Sequence, residues 1–525
     1  MDATTSGRGT QRWTLFLVCI AVFMLLLDLT VVSVALASIQ REFNADLADL
    51  QWVVDAYTLP LACLLLTAAT LSDRIGRRRV FLAGMAIFTI GSLACALAWS
   101  PLVLDLTRAL QGVGGALLLG TALPLIAAAY PDVRRRAGAI GIFGATLAAA
   151  TAVGPLVGGA LVEGPGWRWI FLVNVPIGAV ALVLGAHRLR ESRADRPRRL
   201  DLPGTALLTG ALLCLVLALI RGNADGWSSL LIVGLFAGAG VLLVGFLVRE
   251  ATAAEPMLDL GLFRSLPFTG VAVAAFAISA TVIGSTTYLA LYMLNTLGYG
   301  PLDGGLRFLP LTVASFLAAP LVARLVHRVP AWLTIGGGLA LGGVGMVLMG
   351  RLDAGSEWTA LLAGFVFAGA GMGALSSSIS QAAVSAVETG RAGMATGAVN
   401  TMRQIGVAAG VAVLGAVFQH QATQQASDRL ADAGVTGERA RAAADAIGGG
   451  AGIHVADGLP APARAALAHI ARAATASALD DMLVAGGIAC IVSAAVAAVL
   501  IGARRRTGES EPVPQSAPRE LSVSG

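Results

Sequence analysis

Three ionisable residues lie inside long apolar stretches of this 525-residue chain: Asp28 in FMLLLDLTVVSVAL, Asp55 in QWVVDAYTLPLA and Arg108 in DLTRALQGVGG. A fourth, Arg403, lies in NTMRQIGVAAGVAVLG. A charge in the hydrocarbon of a bilayer costs about 2.5–3.5 kcal/mol on insertion scales, so each is a functional candidate. Two carboxylates and an arginine at similar depth can do proton chemistry. Burial favours the neutral acid and a neighbouring arginine favours the anion, so a group held between the two can gain or lose a proton within one working cycle. The same residues could instead form a static Asp–Arg pair that only fixes helix packing. Asp55 could also lie shallow enough to be solvated, and Asp105, one turn outside Arg108, reads as interfacial. Arg403 has no acid evident in its own stretch. It is left to bond backbone carbonyls, to sit near a membrane face, or to meet a substrate.

These residues need membrane helices to position them. The chain is 56% hydrophobic and 13% charged, where a soluble domain carries about 25% charge. A span takes about 20 mainly apolar residues, and such runs recur along nearly the whole chain. Fourteen are expected, near 13–36, 52–71, 80–99, 102–127, 137–162, 168–187, 203–220, 229–248, 267–293, 306–326, 332–350, 357–380, 394–419 and 483–502. The fold class is therefore an all-α polytopic membrane protein. Asp28 lies 16 residues past Arg12, or roughly 24 Å at about 1.5 Å per residue. That places it, with Asp55 and Arg108, in the outer half of the first bundle.

Charge fixes the expected orientation. One set of alternate loops holds LSDRIGRRR (71–79), Arg134 to Arg136, RLRESRADRPRR (188–199), Arg249, Arg264, Arg324, Arg328, Arg391 and Arg504 to Arg506. The opposite set holds little beyond Arg41, Arg168, Arg221 and Arg351. The positive-inside rule puts the first set, with both termini, in the cytoplasm. The basic residues are all arginine and cluster at span ends, so the net charge of +5 does not point to nucleic acid. The five cysteines fall in apolar runs, against a disulfide framework. The five histidines are scattered, and no metal or nucleophile spacing supports a membrane enzyme.

Span 5 carries AVGPLVGGAL, with Gly154, Pro155, Gly158 and Gly159. Proline removes a backbone hydrogen bond and kinks a helix. Small residues four apart admit a neighbouring helix closely. Together they predict a bent, close-packed helix where two bundles can rock. Gly112, Gly115 and Gly336 to Gly338 read as packing. PLVARLVHR (320–328) is a degenerate echo of loop 71–79, with Ala323 at the position of Asp73. Two related halves follow: a bundle over 1–200, an inserted hairpin over 201–250 and a second bundle over 251–505. Residues 420–480 are expected as a long external loop with short amphipathic helices, and 506–525 as a disordered cytoplasmic tail.

At this point the sequence resembles the major facilitator superfamily, and more closely its fourteen-span drug:proton antiporters of the quaternary-ammonium and multidrug type. LDLTVVSVAL is similar to the span-1 signature of that group, and LSDRIGRRR to its loop 2–3 motif. RALQGVGG, GPLVGG and WVVDAY are similar to the motifs of spans 4, 5 and 2, and LRFLPLTVA and NTMRQIGVAAGVAVLG are also typical. Ala69 and Ala150 stand where the pattern usually has glycine. The resemblance covers about 12–420 and the last span.

It implies a monomeric antiporter of the bacterial cytoplasmic membrane, driven by the proton gradient without a cofactor. Asp28, Asp55 and Arg108 would couple protons. Asp73, Arg74, Gly76 and Arg77 would form a gate latch. Cationic or amphipathic drugs would be exported by alternating access, with cation–π contacts from Tyr57, Phe143 and Tyr292 and with Arg403 at the substrate. A narrow exporter of an antibiotic, lipid or secreted metabolite fits the same fold. A nutrient importer, or a sensor without transport, fits the span pattern but leaves the GPxxGG cluster or the buried acids unexplained.

Overall fold

The computed structural model describes residues 3–194, 200–325, 328–385, 392–457 and 459–503. His327, Arg391, Arg504 to Arg506, the tail 506–525 and the end of the basic run 188–199, residues 195–199, lie outside the described residues. Among the described residues there is helix and no strand. Thirteen helices are long and apolar enough to cross a membrane, fourteen counting one bent pair.

The first bundle comprises α1 (Ala3–Phe43), α2 (Leu47–Ile75), α3 (Arg77–Ala96), α4 (Pro101–Ala129), α5 (Val133–Glu163), the short α6 (Trp169–Leu172) and α7 (Asn174–Arg188). α8 (Leu202–Asp225) and α9 (Leu230–Thr252) form the inserted hairpin. The second bundle runs through α10 (Leu266–Ile278), α11 (Gly284–Leu291), α12 (Pro301–Arg307), α13 (Leu309–Leu325), α14 (Ala331–Met349), α15 (Leu362–Ser385), α16 (Ala392–Asp432), α17 (Glu438–Gly448) and α18 (Ala461–Gly502). Local sequence sets the ends. Asp46 caps α2 by accepting from the Asp49 amide at 2.8 Å, and Ser100 with Pro101 opens α4, as expected of an N-cap and a first-turn proline.

α10 and α11 belong to one span, Leu266–Thr296, interrupted by π-helical turns at Ser279–Ile283 and Tyr292–Thr296. α5 bends by 42° between Gly138–Thr151 and Val153–Glu163. Pro155 cannot donate to the Thr151 carbonyl four residues back, so the bend falls where the sequence pattern put it.

One expectation is corrected. Within 420–480 only the segment between Asp432 and Ala461 lies outside the long helices, and it holds the short α17. α16 continues unbroken to Asp432, and PARAALAHIARAA is the first part of α18, continuous with the last span. The stretch 420–433 is rich in Ala and Gln and has no helix breaker until Gly434, which adopts φ +77°; strong helix formers propagate a helix already begun. Pro460 then caps the start of α18. Ala426 and Leu430 of α16, Ala444 and Ile447 of α17, and Ala471 and Ala474 of α18 close a small apolar core of their own.

The two halves meet at the end of the molecule that holds Gln40 and Glu163. Asn295 Nδ2 donates to Gln40 Oε1 at 2.8 Å and to the Gly450 carbonyl at 2.9 Å, and Gln40 Nε2 donates to the Gly449 carbonyl at 2.8 Å. The Leu302 amide of α12 donates to Glu163 Oε2 of α5 at 2.9 Å. At the opposite end, a side chain added at Gly138, Gly141 or Gly144 of α5 would meet nothing within 4 Å. α8 touches both halves: Thr205 pairs with Thr67 of α2 at 2.7 Å, and Asn223 donates to the Ala416 carbonyl of α16 at 2.8 Å.

The packing of α5 predicts a contrast. A Cβ at Gly159 would lie 2.5 Å from the Pro301 carbonyl oxygen and 2.8 Å from Leu302 Cα, both backbone atoms of α12. Gly159→Ala is expected to lower the thermal unfolding midpoint of the purified protein, with an overpacking cost of about 1–3 kcal/mol. Gly138→Ala, in open space, is expected to leave the midpoint unchanged or slightly raised.

Candidate functional site: a buried ion pair joined to the helix that bridges the halves

The side chains of Asp28 on α1 and Arg108 on α4 are fully buried and form an ion pair through Arg108 Nη1 and Asp28 Oδ2. The spacing of α4 puts Gln111 on the same face as Arg108, three residues on. Arg108 Nη1 also donates to Gln111 Oε1 at 2.7 Å, and Gln111 Nε2 donates to Asp28 Oδ1 at 2.8 Å and to Ser92 Oγ of α3 at 2.7 Å. Asn174 Nδ2 of α7 reaches Asp28 Oδ1 at 3.3 Å. Arg108 Nε donates to the Val53 carbonyl of α2 at 3.0 Å. Five helices therefore converge on one carboxylate and one guanidinium.

The aromatic residues take different places from those the sequence suggested. Tyr57 is buried, with its ring centroid 4.2 Å from the Arg108 guanidinium carbon and its hydroxyl donating to the Leu25 carbonyl at 3.2 Å. Its face is thus taken by a cation of the protein and is not open to a substrate in this conformation. Phe171, unremarked in the sequence, stands 5.6 Å from the same guanidinium. Phe143 is buried in an apolar cluster of the first bundle with Leu17, Leu118 and Leu125. Tyr292 is buried in the second bundle at the start of a π-helical turn.

Asp55 is fully buried, which removes the shallow, solvated reading. It does not join the Asp28–Arg108 pair. Thr58 Oγ1 stands 3.5 Å from its Oδ1, and its Oδ2 has no partner. One turn away on the same face, Gln51 donates to Tyr288 Oη of α11 at 3.0 Å, and Tyr288 donates to the Val411 carbonyl of α16. Asp55 is therefore beside the contact between the halves, whereas Asp28 lies within the first half.

The span-5 motif connects these features. A Cβ at Gly154 would strike Thr30 Oγ1, and one at Gly158 would lie 3.1 Å from the Val31 carbonyl oxygen, so both glycines seat α5 on α1 within three residues of Asp28. Gly159 seats the same helix on α12 of the second half, and Gly305 of α12 in turn lies on the Pro155 carbonyl. Gly112 and Gly115 pack α4 on Tyr57, as the sequence implied. Gly336 and Gly338 pack α14 on Ala498 and Leu375.

The basic loop keeps to its own half. Asp73 Oδ1 accepts from Arg77 Nη2 at 2.8 Å and Nε at 3.0 Å. The Arg77 amide donates to the Ser192 carbonyl at 2.9 Å, and the Arg78 amide to Glu191 Oε1 at 3.1 Å. Gly76 turns the chain at φ +122°, and a Cβ there would meet the Glu191 carboxylate at 2.5 Å. Arg74 is exposed. Arg403 lies on α16 beside a small cavity bounded by α10 and α15, away from all of these residues.

Sequence reading missed Gln111, Ser92 and Asn174. Gln111 and Asn174 were findable as large polar residues in apolar runs, LQGVG and LVNVP; Ser92 is small and gives no such signal.

A family model for the Major Facilitator Superfamily matches residues 18–411. The chain is 34% identical over 517 residues to the tetracenomycin C resistance and export protein of Streptomyces glaucescens, covering 97% of this chain and 96% of that protein. It is 38% identical over 409 residues to the multidrug resistance protein Stp of Mycobacterium tuberculosis, covering 78% and 76%. Among solved structures, a bacterial homologue of the human lysosomal transporter Spinster, inward-facing and occupied, matches with a TM-score of 0.61 at 16% identity over 95% of this chain and 97% of that one. At that identity the likeness is one of fold. An all-helical architecture with thirteen or fourteen candidate spans among the described residues, sequence similarity across nearly the full chain and the family match agree: the chain belongs to the Major Facilitator Superfamily.

Proposed function

We propose that this protein is a proton-coupled antiporter that exports amphipathic drugs, cationic ones among them, across the cytoplasmic membrane by alternating access. The observation that carries this reading is the Asp28–Arg108 pair, buried in the membrane within three residues of the α1–α5 seat whose other side meets α12 of the second half. The names of the relatives, which speak of resistance and export, support efflux over uptake.

In this reading the molecule is closed at the Gln40–Asn295 end, which the loop charges assign to the outside. Substrate enters from the cytoplasm or inner leaflet. Asp55, with one carboxylate oxygen unpartnered, offers a contact for a substrate cation. Rocking of the halves breaks the Gln40–Asn295 and Glu163–Leu302 contacts and opens the outer end. A proton taken up at Asp28 cancels the charge that holds Arg108, so the bonds of Arg108 to Gln111 and to Val53 of α2 must rearrange. Thr30 and Val31 lie within one turn of that change, and the seat of α5 on them transmits it to α12. A second proton at Asp55 removes the substrate's counter-charge. Coupling then follows, because proton and drug favour different states of the same acids.

Two outcomes test this. In energised cells, wild type is expected to expel ethidium in a proton-dependent manner. Asp28→Asn, at equal membrane abundance by immunoblot, is expected to be slower by roughly tenfold or more, the loss of at least one charge-assisted bond. Wild type that does not move ethidium overturns the cationic reading; Asp28→Asn that still couples efflux to protons removes Asp28 from coupling. Secondly, Gln40→Cys with Asn295→Cys, in a background lacking the five native cysteines, is expected to cross-link under oxidant and stop transport until reductant is added. Full transport by the cross-linked protein would show that this end need not open.

A further inference from the structure

Arg403 is a cation in the membrane without a partner. Among the described residues no acid, carbonyl or hydroxyl accepts a hydrogen bond from it. Its neighbours around a small cavity are Ile278 and Ile283 at the two ends of a π-helical turn, and Met372, Leu375, Ser376 and Ile379 of α15. The four α15 residues follow the i, i+3, i+4, i+7 pattern of one helix face, so a whole face is turned to this arginine. Ser376 already donates its hydroxyl to the Met372 carbonyl at 2.9 Å.

The interruption of α10–α11 falls at the same place. π-Helical turns are frequent at functional sites, and this one, Ser279–Ile283, is in the middle of the 31-residue span Leu266–Thr296. Gly406, one helical turn along α16 from Arg403, packs on the Phe276 backbone and the Ser279 side chain, Gly410 packs on the Ala280 backbone within the turn, and the Ser279 hydroxyl is buried without a partner.

Other ways of neutralising this charge fail. An arginine does not shed its proton in a protein. Lipid phosphates lie outside the hydrocarbon core, and Arg403 is nine residues inside the span that begins at Met394. The acids Asp28 and Asp55 are on helices of the first half, and Asp28 is committed to Arg108. An unpaired charge in an apolar setting is costly, so the site is built for an acceptor that arrives from elsewhere.

We propose that Arg403 anchors a second substrate subsite that takes the anionic oxygen end of an amphipathic molecule, a carboxylate, sulfonate or phenolate, against the apolar face of α15. The export reading supplies the source of that ligand, and under it the transporter accepts acidic amphiphiles as well as cations. Because Arg403 does not titrate, it selects substrate and takes no part in proton coupling.

Calorimetric binding to the purified full-length protein tests the subsite without requiring transport, so it can fail while ethidium efflux succeeds, or succeed while efflux fails. Two probes share a naphthalene body and differ in charge: 2-naphthalenesulfonate and 2-naphthyltrimethylammonium. Arg403→Gln is expected to weaken sulfonate binding by roughly tenfold or more and to change ammonium binding by less than about twofold, with Arg403→Lys recovering part of the loss. No sulfonate binding to wild type, equal sulfonate affinity in wild type and Arg403→Gln, or parallel loss of both probes overturns the proposal. Should Arg403→Gln fail to fold, Ser376→Asp places a carboxylate beside the guanidinium and is expected to abolish sulfonate binding; unchanged affinity there overturns it equally.

Discussion

Burying a carboxylate and a guanidinium together in a bilayer is tolerable only if nearly every remaining hydrogen-bonding site is also filled, and that requirement shapes the first half of this protein. Asp28 has its two oxygens divided between Arg108 on one side and Gln111 with Asn174 on the other. Arg108 spends a further donor on a backbone carbonyl of α2 and lies over the Tyr57 ring, while its Nη2 is buried without a hydrogen-bond partner. Satisfying one pair thus draws α1, α2, α3, α4 and α7 to a common point. Removing either charge leaves the other uncompensated, so the pair is a structural keystone.

The glycines of span 5 turn that local sensitivity into something the other half can feel. A side chain at Gly154 or Gly159 would clash with Thr30 of α1 or with the backbone of α12, and one at Gly158 would press more lightly on Val31 of α1. Without them α5 lies against both, and the Pro155 bend lets it do so along its length. Packed helices move between discrete arrangements more readily than they deform. A helix seated on both bundles is therefore placed to carry movement between them.

The charges are distributed unevenly between the halves. In the first, Asp28 and Arg108 cancel, and Asp55 stands near the junction with an unfilled oxygen. In the second, Arg403 stands uncancelled in an apolar pocket at a break in helical regularity. A proton can neutralise the first unpaired charge but not the second. The proposed cycle uses that difference, giving Asp55 to charge that comes and goes and Arg403 to recognition of what is carried.

Much of this was legible in the residues alone. Hydropathy placed fourteen spans because a bilayer leaves the backbone little choice but helix. Asp28 and Arg108 stood out because charges in apolar runs are rare, and Gly-Pro marked the bend of α5 because proline removes a specific hydrogen bond. Partnership was not legible. Asp28 and Arg108 are 80 positions apart, and nothing in their spacing says that Asp55, which seemed equivalent, faces the second half instead. Nor could periodicity reveal that Tyr57 covers an internal cation, that residues 420–433 and 461–480 prolong their neighbouring spans into a capped extension, or that Arg403 lacks an acid. Helix existence is a local matter of composition against solvent, fixed within some twenty residues. Which face of each helix turns to which neighbour depends on the packing of all of them at once, and that only the tertiary structure decided.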